Sequence, residues 1–189
     1  EKMTREITKE LNFDGETMYT HRTSWEEDAH FTLFTNGSMG SGHAHVDNNH
    51  FSIYFKGDPI IVDTGRYTYR EDHPYRIYFK SASAHSGLVL DGRSGSQPNG
   101  SWTFQKYVQP LGNQVKHKGP YHYYKGMVYG GFSLWERILV VVDLGIWIVI
   151  DKVKSQGWHK LTQYFNLHPD VKSSIEDEIF LNDMKMKVL

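Results

Sequence analysis

Three histidines and an aspartate fall within nine residues at Gly42-His43-Ala44-His45-Val46-Asp47-Asn48-Asn49-His50, just after a glycine-rich stretch. Imidazoles and a carboxylate at this spacing bind one metal, or divide their work between a metal and a substrate. If the segment is extended, residues i and i+2 share a face, so His43, His45 and Asp47 point the same way. Two more metal-type residues mark the ends of apolar runs. Asp63 closes Ile60-Ile61-Val62-Asp63, and His85 precedes Gly87-Leu88-Val89-Leu90. Neighbouring strands can bring His45, Asp63 and His85 together as a two-histidine, one-carboxylate set suited to zinc, iron or manganese. Asp47 reads either as part of that set or as a carboxylate that orients one of its histidines. His50, His73, His117, His122, His159 and His168 read as surface or hydrogen-bonded core residues.

These residues have to be positioned by sheet. From Thr17 onward, short β-type runs cover Met18 to Arg22, His30 to Thr35, Phe51 to Lys56, Ile60 to Asp63 and Leu88 to Leu90. Turn formers separate them, at Asn36-Gly37, Gly57-Asp58-Pro59 and Asp91-Gly92. Tyr75, Tyr78 and Phe79 line a helical or looped excursion, and Arg93 to Ser101 forms a polar loop. Strand character resumes at Trp102 to Val108, Tyr121 to Tyr129, Phe132 to Val142, Ile146 to Val153 and Trp158 to Leu167. Ile138 to Val142 and Ile146 to Ile150, hinged on Asp143-Leu144-Gly145, form a hairpin. Its strands are apolar at every position, which calls for cover on both faces, by a third layer or a neighbouring domain. The fold class is all-β, an antiparallel sandwich with several sheets.

Length and charge limit the function classes. The 189 residues, 39% hydrophobic, suffice for one sizeable core, with residues 1–14 as a linker or the end of a preceding region and 15–189 as the domain. A net charge of -1 gives no case for nucleic acid or an anionic membrane. No apolar run is long enough to span a bilayer. The absence of cysteine excludes disulfides and thiolate chemistry. The first residues lack the apolar core of a signal peptide and do not start with methionine, so the chain reads as a processed or excised piece of a longer one.

H-x-H on a β-strand is also the mark of cupins. That pattern needs a glutamate a few residues later and a P-x-G followed by histidine, neither of which is present. The order Gly42-His43-x-His45-x-Asp47, Gly57-Asp58-Pro59-Ile60-Ile61-Val62-Asp63-Thr64-Gly65-x-Tyr67-x-Tyr69, Arg76-x-Tyr78-Phe79 and Ser83-Ala84-His85-Ser86-x-Leu88-x-Leu90-Asp91-Gly92 instead resembles the C-terminal domain of the heparinase II/III family. The later hairpin, Glu136-Arg137 through Asp151, is similar to that family's sheet. Ser86 stands where many members carry asparagine.

The resemblance implies a polysaccharide lyase acting on heparin, heparan sulfate, alginate or related uronate polymers. It implies a β-sandwich packed on an N-terminal α/α toroid that this chain does not contain, with part of the catalytic set on that domain. Such lyases remove the proton on C5 of a uronate and expel the C4 oxygen, which requires neutralising the carboxylate. By resemblance, His43 is the catalytic residue facing the cleft. His45, Asp63 and His85 hold a mainly structural metal, zinc first with calcium or manganese as alternatives, and Asp47 supports them. Tyr69, Tyr75 and Arg76 are candidates for substrate contact, the arginine as a bidentate partner of a uronate or sulfate. The partners expected are an acidic polysaccharide and the helical domain, and the location expected is periplasmic or secreted. A cupin-like metal enzyme, or a non-catalytic carbohydrate-binding sandwich using Trp102 or Trp135, are the alternatives.

Overall fold

The computed structural model describes residues 10–12, 17–40, 42–130, 133–175, 179–181 and 184–187. The first sheet runs in order β1 (Glu10–Asn12), β2 (Met18–Arg22), β3 (Phe31–Thr35), β4 (His50–Phe55) and β5 (Asp58–Ile61), all antiparallel. A short helix, α1 (Arg76–Lys80), follows, then β6 (Leu88–Leu90) and a small hairpin of β7 (Gln97–Asn99) and β8 (Thr103–Lys106). The second large sheet is a meander of β9 (Gln109–Lys118), β10 (Tyr121–Tyr129), β11 (Ser133–Val142) and β12 (Ile146–Ser155). β13 (Leu161–Gln163) pairs with β6, and β14 (Ser173–Ile175), β15 (Ile179–Leu181) and β16 (Met184–Met186) close the chain.

The two large sheets meet through their inward rows. Tyr19, Phe34, Phe51 and Ile53 of the first pack against Tyr124, Leu139 and Val141 of the second in one buried cluster. Along β10 the residues His122, Tyr124, Gly126 and Val128 alternate inward, as period-two geometry requires. The expected hairpin forms, with Val142 opposite Ile146 and Ile138 opposite Ile150.

Two expectations need correction, and a third stays open. Residues 10–12, assigned to a linker or helical turn, add a strand to the first sheet, while residues 1–9 and 13–14 lie outside the described residues. The second face of the hairpin stays open among the described residues, with Ile146, Ile148 and Ile150 50%, 48% and 42% exposed, which leaves cover by a neighbouring domain as the alternative that still applies. The segment from 42 to 49 is turn and bend rather than strand, so the alternation that placed His43 and His45 on one face does not apply. No helix among the described residues is long and apolar enough to cross a membrane.

Gly126 sets the spacing at the end of the core nearest that segment. A Cβ there would run into the Asn49 side chain and lie 2.8 Å from Asn36 Nδ2. Both asparagines are buried, and Asn49 holds a left-handed backbone at φ +55°. Gly126→Ala is expected to cost about 1–3 kcal/mol, the usual penalty for forcing atoms into a filled core. A urea unfolding curve that overlays the wild type would contradict this.

Candidate active site

The histidine segment is held from below by α1 and by the backbone. Arg76 and Lys80, four residues apart, lie on one buried face of α1. Arg76 donates to Ser101 Oγ (3.3 Å), Ser101 O (3.0 Å) and Arg66 O (3.1 Å), and Lys80 Nζ donates to Ser101 O (2.9 Å) and Thr103 O (3.2 Å). Val46 N–H donates to the Lys80 carbonyl at 3.0 Å. The helix thus joins the histidine segment to the turn carrying Trp102. Burial pushes the Lys80 ammonium down from its ordinary pKa. Arg76 is fully buried, so its guanidinium has no open face for a uronate or sulfate, and its role as a substrate contact is corrected to that of an anchor.

His43 sits on the exposed side. Its Nδ1 lies 2.8 Å from the Tyr69 hydroxyl, and its ring meets both Tyr69 and Trp102 edge-on, with centroids at 5.2 and 5.4 Å. Tyr69 stacks on Trp102 at 5.1 Å, and the Arg66 guanidinium covers the Tyr69 ring at 4.4 Å. The segment between Asp63 and α1 includes Tyr67 at φ +58°, a strained conformation for an aromatic residue. Tyr75 is exposed on the same segment, and its ring meets Tyr67 edge-on at 6.3 Å.

His45 turns the other way. Its ring lies 5.3 Å from that of His85, whose Nδ1–H donates to Asp63 Oδ2 at 2.7 Å. The second Asp63 oxygen accepts the Gly65 N–H at 2.6 Å, and Thr64 Oγ1 donates to Ala84 O at 2.7 Å, so two segments lock Asp63 and His85 together. Burial alone would raise the Asp63 pKa, but the His85 hydrogen bond, the nearby histidines and Gly65 N–H hold it well below the carboxylate range. Burial, then the His85 and Arg76 charges, lower the His45 pKa to about 4, which leaves a neutral imidazole near pH 7.

The residues fit a metal in one specific respect. With its Nδ1 proton on Asp63, His85 keeps a lone pair on Nε2, and that buried atom has no hydrogen-bond partner. A carboxylate holding one nitrogen while the other stays free is how histidine ligands are usually oriented. His45 lies on the adjacent side.

His50 joins this group, although its sequence context pointed to a structural role. Its ligand-type atoms lie within 4.8 Å of those of Asp63 and His85, and its Nε2 is 3.6 Å from Asp63 Oδ2. His50 Nδ1 accepts the Ser86 N–H at 3.0 Å, so the proton of the neutral ring sits on Nε2, towards Ser52 Oγ and Asp63. His50 therefore donates its N–H to Ser52 Oγ, beside Asp63, rather than offering a metal a lone pair. Asp47, an exposed side chain, supports His50 through its backbone carbonyl, which accepts the His50 N–H at 3.0 Å.

Burial first, then the His85 and Arg137 charges, lower the His50 pKa to about 4. Between pH 6.5 and 4 the unfolded chain then binds more protons than the folded one, so stability falls as pH drops through that window. The cost in metal-free protein reaches about 3 kcal/mol. His50→Gln is expected to flatten this part of a stability–pH profile measured by urea unfolding. An unchanged slope would show that His50 does not carry it.

Residues 19–185 match the family model described as heparinase II/III-like, C-terminal. The chain belongs to this family. The heparinase-like domain also superposes on solved structures: heparan sulfate lyase HepC from Pedobacter heparinus, with TM-score 0.75, 18% identity, and 90% of this chain covering 26% of that one. The structure described as heparinase III, BT4657 gene product, aligns with TM-score 0.76, 17% identity, and 90% of this chain against 26% of the other. A third, described as heparinase III, gives 0.72 at 16% identity, over 93% and 28% of the two chains. At these identities the likeness shows the fold, and the chain spans about a quarter of each structure's length. No curated protein sequence matches the chain.

Within this heparinase-like domain, Trp102, Arg66 and His50 are the site residues that the sequence reading did not place in these positions. Only the exposed-aromatic argument pointed to Trp102. His50 had no motif of its own, because its partner Ser86 lies 36 residues away.

Proposed function

We propose that this domain supplies one wall of the cleft of a polysaccharide lyase that cleaves a uronic-acid polymer by β-elimination, with a heparan-sulfate-like glycosaminoglycan as the favoured substrate. The observation that carries the reading is His43, exposed and hydrogen-bonded to Tyr69 beside the Trp102 ring, next to the group formed by His45, Asp63 and the buried His85. An imidazole and a phenol in contact can take a proton from C5 and supply one to a departing oxygen, while an aromatic face packs against a sugar ring. The remaining catalytic groups belong to a helical domain beyond this chain. Such polymers are met outside the cytoplasm, so a periplasmic or secreted location goes with this reading.

A divalent ion, zinc by the chemistry of the imidazole donors, would be held by His45 and by the free Nε2 of His85, with Asp63 fixing the His85 ring from its Nδ1 side. It would supply a cross-link between chain segments. Chelation is then expected to lower the melting temperature, and zinc at a hundredfold its dissociation constant to restore about 2.7 kcal/mol. Metal content that is the same in wild type, His45→Ala and His85→Ala would contradict this ligand set.

The reaction is tested by presenting heparan sulfate, hyaluronan, chondroitin and alginate to a protein carrying both domains and following ultraviolet absorbance of the unsaturated product. Absence of product from every polymer would sink the lyase reading. The Tyr69–Trp102 stack also supports sugar binding without chemistry, in which case affinity would survive His43→Ala and no product would form. The cupin alternative loses its basis, since the H-x-H residues are not on a strand.

A further inference from the structure

We infer that His21, His122 and Asp143 form a second divalent-cation site, at the end of the inter-sheet core away from His43. His21 lies on β2 and His122 on β10, in opposite sheets, and Asp143 begins the β11–β12 turn. Along β10, His122 and Gly126 flank Tyr124, and Gly126 is the residue that abuts the buried Asn49. The two sites are therefore separated by the aromatic core.

The geometry converges on one point. His21 Nε2 and His122 Nε2 lie 2.8 and 3.0 Å from the same oxygen, Asp143 Oδ1. The rings stack face to face with centroids 3.6 Å apart and an interplanar angle of 28°. Both histidines are buried, and the ligand-type atoms of all three residues lie within 4.8 Å of one another. Two nitrogens and a carboxylate oxygen are a donor set for zinc, cobalt or nickel rather than calcium or magnesium. Bonds of about 2.0–2.1 Å in a tetrahedral arrangement put ligand atoms roughly 3.3 Å apart, so the two nitrogen–oxygen spacings have to open by only a few tenths of an ångström. Asp143 can provide that opening, since it sits on a turn with its side chain partly exposed.

His117 gives the site its orienting partner. Its Nδ1 lies 3.0 Å from His122 Nδ1, so one of these nitrogens carries a proton and the other accepts it. If His122 Nε2 binds a cation, its proton must be on Nδ1, donated to His117. If the cluster is only a hydrogen-bonded network, His122 Nε2 carries the proton to Asp143 and its Nδ1 accepts from His117. Metal binding and simple hydrogen bonding thus demand opposite tautomers of one ring.

The test is nitrogen-15 NMR of the histidine rings in the intact, metal-stripped chain, titrated with zinc. The background is His45→Ala, so that the first site does not contribute, and signals are assigned with His21→Gln and His122→Gln. The expected result is that His21 and His122 lose Nε2–H character at about one equivalent of zinc. Asp143→Asn should weaken this response at least ~10–100-fold, the loss seen even for groups that only support a ligand. His122 remaining Nε2-protonated in excess zinc would overturn the site and leave a hydrogen-bonded cluster. The tautomer of the parent chain decides the matter even where a variant fails to fold.

Discussion

Replacing Arg137 with methionine is expected to cost about 3–5 kcal/mol, the penalty for leaving a buried charge and its acceptors without their partner. Arg137 is fully buried on β11. Its Nε and Nη2 grip Asp151 bidentately at 2.8 and 2.7 Å, and Nη1 donates to Asn49 O at 3.0 Å and to Ser86 O. Its flat faces meet Phe51 and Trp135 at 5.3 and 5.1 Å. Burial alone would raise the Asp151 pKa, but Arg137 holds it below the ordinary value. That contribution is present above the carboxylate's normal range and is lost as pH falls through the folded-state pKa. Arg137→Lys is expected to rescue little, because a point charge cannot reach four acceptors in two directions. Arg137→Met with Asp151→Leu should recover part of the loss by removing the orphaned carboxylate. Urea midpoints for the four proteins check this; a single variant within 1 kcal/mol of wild type would show that the clamp is dispensable.

His43→Ala should lower turnover on the cleaved polymer by roughly 10²–10⁴-fold, the range for loss of a positioned acid or base. Stability should stay within about 0.5 kcal/mol of wild type, as for other exposed positions. The ring hangs between Tyr69 and Trp102 with little packed behind it, so removing it takes a chemical group without opening a core. Tyr69→Phe should cost less if the imidazole alone moves the proton, and as much if the two act as a pair. Steady-state kinetics in a protein with both domains checks this, and a variant within threefold of the parental rate would remove His43 from the chemistry.

The sheet framework was legible because β-branched and aromatic runs bounded by glycine turns admit few other structures, as at Ile138 to Ile150. β9 was not legible. Its polar sequence with Pro110 and Gly112 belongs to an edge strand with a register shift opposite Met127/Val128, and an edge needs no apolar pattern. At the site, Asp63 and His85 stood out because each ends an apolar run, and the structure brings them into contact. The alternation argument for His43 and His45 failed because glycine-rich chain bends before it extends. Arg76 looked like a ligand contact and is a strut. Arg137 received no role, because one arginine in an apolar strand gives no sign of the four acceptor atoms it will meet.

The notch at Gly126 bears on how the proposed cleft wall can change. Asn49 rests in the gap that glycine leaves, and Arg137 holds its carbonyl from the same sheet. The alignment of the histidine segment is thus inherited from the layer behind it, while the outer segment from Arg66 to Tyr75 presents the exposed side chains of Arg66, Tyr67, Arg70 and Tyr75. A library selected for cleavage of a new polymer should therefore return changes in that outer segment and leave positions 49, 126 and 137 untouched. The front of the cleft is free to vary because its datum lies at the back.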